Sequence, residues 1–71
     1  MQNITLYEFN LLPHQEQHAI VHAQATFLDV LEVGNVRLAL YGLEKFYIEL
    51  VYVVPSNKIT QLKTFKRDAL R

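Results

Sequence analysis

VRLALYGLEKFYIELVYVV, residues Val36 to Val54, is the stretch on which the fold turns. Fifteen of its nineteen residues are apolar, aromatic or glycine, the exceptions being Arg37, Glu44, Lys45 and Glu49. The Glu44-Lys45 pair divides it into two runs of strand length, so it reads as the central hairpin of an antiparallel sheet. No other part of the chain could nucleate a core as well.

Working outward, Thr26 to Val33 (TFLDVLEV) is rich in β-branched and apolar residues and is joined to the hairpin by Gly34-Asn35, a dipeptide that permits positive φ. On the other side, Pro55-Ser56-Asn57 has turn chemistry: proline suits the second position of a type I turn, and asparagine tolerates the left-handed conformation after it. Lys58 to Phe65 (KITQLKTF) then reads as a fourth strand, and residues 66–71 as a polar tail.

The front of the chain has a helical period. Thr5 and Glu8 are spaced as a capping box, with Ile4 and Phe9 at the spacing of a hydrophobic staple, which predicts a short helix over 5–11. Pro13 favours a second start, because a first-turn amide has no helical partner to lose. Over 13–25, Leu12, Ala19, Ile20, Ala23 and Phe27 project to one side and His14, Gln15, His18 and His22 to the other. The expectation is a single α+β domain over 1–71: two N-terminal helices packed on one face of a four-stranded antiparallel β-meander, with strands near 26–33, 36–43, 46–54 and 58–65.

Composition narrows the class. A chain of 71 residues buries only about 60% of its unfolded surface, so small domains of this kind lean on disulfides, metals or partners. There is no cysteine, which removes disulfides and thiolate zinc sites, and the 51% hydrophobic content asks for more burial than one thin core supplies. Both facts favour a homo-oligomer, most simply a dimer. The net charge of zero argues against a sequence-independent grip on nucleic acid. The opening MQNITLYEF has no basic leader before an apolar run, and the apolar runs fall short of the ~20 residues of a membrane span, so a cytoplasmic protein is expected.

A three-residue loop over 55–57 would set Val54 opposite Lys58, Tyr47 opposite Phe65 and Glu49 opposite Lys63. An aromatic pair and an opposite-charge pair both favour this register. The Glu44-Lys45 turn closes with either two or three residues, and the choice decides how the strand faces align. Phe46, Ile48, Leu50, Tyr52, Val54 and Leu62 then line one side of the sheet, the side assigned to the helices. Tyr47, Glu49, Val51, Val53, Ile59, Lys63 and Phe65 line the other, which needs a partner such as an identical sheet across a two-fold axis.

The run Leu40-Tyr41-Gly42-Leu43-Glu44-Lys45-Phe46-Tyr47-Ile48-Glu49-Leu50, followed by Tyr52, Asn57, Ile59 and Phe65, resembles a group of small uncharacterised bacterial proteins. Leu11-Leu12-Pro13, Glu16-Gln17 and Phe27-Leu28 resemble the front half of the same group. The resemblance covers most of the chain and implies the αα then ββββ order, with no assigned activity. Lys45 departs from the glycine or acidic residue common at that turn.

Residues with chemical potential are few. His14, His18 and His22 share a helix face, and two imidazoles four residues apart can chelate one transition metal; the plain alternative is a solvated, His-rich face. Arg37, Tyr41, Tyr47, Lys63, Phe65, Lys66 and Arg67 could form an aromatic and basic platform for single-stranded nucleic acid, or be ordinary packing and surface charge. Glu49 in an apolar strand is either a cross-strand partner of Lys63 or a carboxylate of raised pKa, and no nucleophile is placed beside it. No catalytic residue and no cofactor is implied. The reading is a non-catalytic interaction module whose interface is Tyr47, Glu49, Val51, Val53, Ile59, Lys63 and Phe65. The alternative is a nucleic-acid binder, or a protein like the small ribonucleases of toxin and antitoxin pairs, to which the element order is similar.

Overall fold

The computed structural model describes residues 4–67. It shows a small α+β fold with two helices, α1 (Leu6–Asn10) and α2 (His14–Gln24), and four strands, β1 (Thr26–Val33), β2 (Val36–Leu43), β3 (Phe46–Val53) and β4 (Lys58–Lys66). The strands pair antiparallel in the order β1-β2-β3-β4, the expected meander. No helix among the described residues is long and apolar enough to cross a membrane.

Local chemistry explains the helix ends. Thr5 Oγ1 accepts from the Glu8 amide at 3.1 Å and Glu8 Oε1 accepts from the Thr5 amide at 3.0 Å, which completes the capping box. Ile4 packs against the cluster that contains Phe9, as a staple requires. Pro13, at φ −60°, stands as the N-cap of α2.

Phe9 of α1 and Val21 of α2 enter one buried cluster with Leu43, Phe46, Ile48 and Leu50. The Phe9 and Phe46 rings meet at 5.5 Å with a 53° tilt. The stripe expected on α2 holds for Ile20, which packs against this cluster, and is otherwise corrected. Gln17 and Val21 are its buried residues, Ala19 and Ala23 face solvent, and Phe27 belongs to β1. Gln17 is only 5% exposed, and its Nε2 donates to the Phe9 carbonyl at 2.9 Å. A polar side chain thus locks α2 against the end of α1, which an apolar count on a helical wheel would miss.

β3 pairs with β4 in the expected register from Phe46 to Val51, with Tyr47 opposite Phe65 and Glu49 opposite Lys63. A register shift then intervenes, and Tyr52 faces Ile59 and Val53 faces Lys58. Thr60 is the extra residue of this bulge, and its hydroxyl donates to the Val51 carbonyl at 3.3 Å. The cause lies in the connection. Val54 extends the β2–β3 pairing one step past Val36–Val53 by donating to the Asn35 carbonyl at 2.8 Å, and Asn57, at φ 56°, closes the turn on Val53 at 2.7 Å. The loop therefore runs over 54–57 rather than 55–57, and the expected Val54–Lys58 pairing gives way to Val53–Lys58. Lys66 joins β4 rather than the polar tail, of which residues 68–71 lie outside the described ones.

The β2–β3 turn closes with two residues, since Leu43 pairs with Phe46. Glu44 adopts φ 54°, a left-handed value that costs a side-chain-bearing residue about 1 kcal/mol. Glu44→Gly removes that strain at some cost in chain entropy. It is expected to raise the thermal midpoint by a few degrees, about 0.5 kcal/mol. Gln17→Leu removes the side-chain donor to the Phe9 carbonyl, which still accepts from the Leu12 amide at 3.1 Å, and is expected to lower stability by about 1 kcal/mol in denaturant melts.

Candidate partner interface

Residues opposite one another in an antiparallel sheet share a face, so the register sorts the side chains without ambiguity. Phe46, Ile48 and Leu50 mark the core face, joined by Leu43 and Ala39 of β2, all buried. The second face is built in rows that cross the strands. One row runs Asp29, Leu40, Glu49, Lys63; the next runs Leu31, Leu38, Val51, Gln61; the last runs Val33, Val36, Val53, Lys58.

Of the residues expected to form an interface, Tyr47, Glu49, Val51, Val53, Lys63 and Phe65 are brought together on this second face. Ile59 is not. The bulge at Thr60 turns it over, and it packs with Tyr52 against the core cluster. The face also holds residues absent from the sequence-based set, chiefly Leu31, Leu38 and Leu40. Alternation in VRLALYGL was the available signal, but both alternating sets there are largely apolar, so the pattern alone does not say which one faces the helices.

β1 is exposed along its whole length. Among the described residues, five of the seven large exposed apolar side chains belong to it, with Leu31 and Val33 each at 59%. One end of the second face is closed off by Arg67, whose guanidinium lies 5.3 Å from the Tyr47 ring centroid and donates to the Glu44 carbonyl at 3.0 Å. Beyond that end, a shallow concavity is lined by Asp29, Leu31, Leu38, Leu40, Glu49 and Phe65.

The proposed nucleic-acid platform is divided between the two faces. Arg37 and Tyr41 sit on the core side, Arg37 bound to Glu32 at 2.8 Å and Tyr41 edge-on to Phe27 at 5.7 Å. Lys66 is opposite Phe46 on that side, whereas Arg67 covers Tyr47 on the other. Tyr47, Lys63, Phe65 and Arg67 share the second face with Glu49 among them, so the seven residues do not form one strip. His14 and His22 are exposed and His18 is half-buried. Among the described residues, no group of three or more His, Cys, Asp or Glu side chains stands close enough to hold a metal ion.

On the core side, a hollow beyond the helices is lined by Phe27, Arg37, Tyr41 and Tyr52. Partial burial is the main reason that the Tyr52 phenol is raised above its ordinary 10.0; Tyr41 adds to the shift and the Arg37 charge opposes it. No family model matches the chain, and comparison with curated proteins and with solved structures gives no match.

A raised phenol pKa means that the fold loses stability as pH climbs past the unfolded value of 10.0, since the folded state resists ionisation there. Tyr52→Phe removes this linkage. Thermal melts are expected to show the wild-type protein losing stability relative to the variant once the pH exceeds 10.0.

Proposed function

We propose that the chain is a non-catalytic interaction module that associates with a second copy of itself through the second sheet face. The observation that carries this is the composition of that face. Leu31, Leu38, Leu40, Val51, Val53 and Phe65 extend across all four strands, while Phe9 and Val21, the buried apolar anchors of the two helices, serve the core face. With both helices on that side, a partner supplies the second layer that a one-sided sheet lacks.

Magnitudes support association. Strands spaced about 4.8 Å apart and about 27 Å long give a face of about 500 Å² in projection, before side-chain relief is added. Two such faces give about 1,000 Å² in projection, and side-chain relief brings this toward the lower end of the roughly 1,200–2,000 Å² of a standard interface. Burying Leu31 and Val33, now more than half exposed, contributes about 1–2 kcal/mol for each side chain. A cytoplasmic setting belongs to the same proposal.

Light scattering at tens of micromolar protein tests it. The expected mass is twice the 8.3 kDa of the chain. Leu31→Lys places a charge on an exposed strand position, and is expected to keep the circular dichroism of the fold while reducing the mass to that of one chain. Wild-type protein at the single-chain mass would overturn the proposal.

A further inference from the structure

Granting self-association through the second face with the sheets aligned, two symmetric arrangements are available. A two-fold axis parallel to the strands lays β1 over β4 of the second copy and keeps each row against itself. An axis across the strands lays β1 over β1 and β4 over β4. The charges on the face choose between them.

The three rows carry four charges: Asp29 on β1, Glu49 on β3, and Lys58 and Lys63 on β4. Acids thus occupy β1 and β3, and cations only β4. Within one chain, Asp29 and Lys63 lie in the same row at opposite margins of the sheet, about 14 Å apart by strand spacing. The axis across the strands, run through the middle row, stacks β4 on β4 with Lys63 against Lys58 of the other copy, and sets Asp29 against its apolar Val33. The axis along the strands sets Asp29 directly against Lys63 of the second copy, and Lys63 against its Asp29.

We infer that the dimer forms about an axis parallel to the strands, with Asp29 of each copy paired to Lys63 of the other at the two margins of the interface. The central strands then meet as Leu38 against Val51, Val36 against Val53 and Leu40 against Glu49, with Glu49 beside Lys63 in the row that carries the two ion pairs. Lys63 is suited to this role. Its register neighbour Glu49 makes no direct ion pair with it, the Arg37–Glu32 contact being the only one among the described residues. Its long stem lets the ammonium cross the space between sheets while the methylenes lie on apolar surface. Asp29 uses Oδ1 to accept from the Val30 amide at 2.8 Å and is exposed. The pairing carries a sense as well as an attraction, because like charges brought together at a margin oppose the alternative arrangement.

The chain has no cysteine, so single thiols can be placed cleanly. Two variants of the full chain, Asp29→Cys and Lys63→Cys, are treated separately and as an equimolar mixture with a bismaleimide spanning about 10 Å, the separation of packed sheets. Light scattering is run on each beforehand. The expected result is a covalent dimer in the mixture, and at least tenfold less in either variant alone. Efficient cross-linking of Asp29→Cys to itself would overturn the inference in favour of β1 against β1. A dimeric mass with no cross-link in the mixture would overturn it while leaving self-association standing. A single-chain mass for wild-type protein would remove both readings together.

Discussion

The helical layer is too small for the sheet it serves. α1 has five residues and α2 eleven, so their axial lengths are about 7.5 and 16 Å against strands of about 27 Å. Phe9 and Val21 therefore complete a core around Phe46, Ile48 and Leu50, while β1 stays exposed from end to end. This shortfall governs the rest of the molecule. Among the described residues, apolar side chains exist on both faces of the sheet and helices cover one of them.

Within that small core, polar bonds fix positions that apolar packing alone would leave loose. Gln17 reaches the Phe9 carbonyl from the adjacent helix, and Thr64 of β4 donates to Asn10 Oδ1 at 3.0 Å, tying the end of α1 to the sheet. A buried amide is costly without a partner, so the Gln17 bond constrains the α1–α2 geometry more sharply than its modest net free energy suggests. The strained Glu44 and the left-handed Asn57 serve the connections, and the backbone of Glu44 in turn holds Arg67 over Tyr47.

Much of the fold was legible in the chain. The capping box at Thr5, the start at Pro13, the Gly34-Asn35 turn and the alternation around Glu49 are local signals, each read within a few residues, and they predict the elements and most strand boundaries. The candidate site was legible in part. Tyr47, Glu49, Lys63 and Phe65 follow from one hairpin register, whereas Leu31, Leu38 and Leu40 required knowing which alternating set of β2 turns toward the helices. Gln17 was missed because hydrophobic period does not register a polar residue whose partner is a backbone carbonyl eight positions away.

The sequence by itself determined the meander, its two apolar faces and the placement of acids and cations along the strands, since strand propensity, turn chemistry and period two are properties of neighbouring residues. Only the tertiary structure decided the side of Ile59, the row that sets Asp29 in line with Lys63, and the extent of the face left bare. The reason is physical. A single-residue bulge at Thr60 reverses every side chain beyond it, and it goes with a turn that Asn57 closes on Val53 rather than on Val54, a choice of closure that the residues of the turn do not encode.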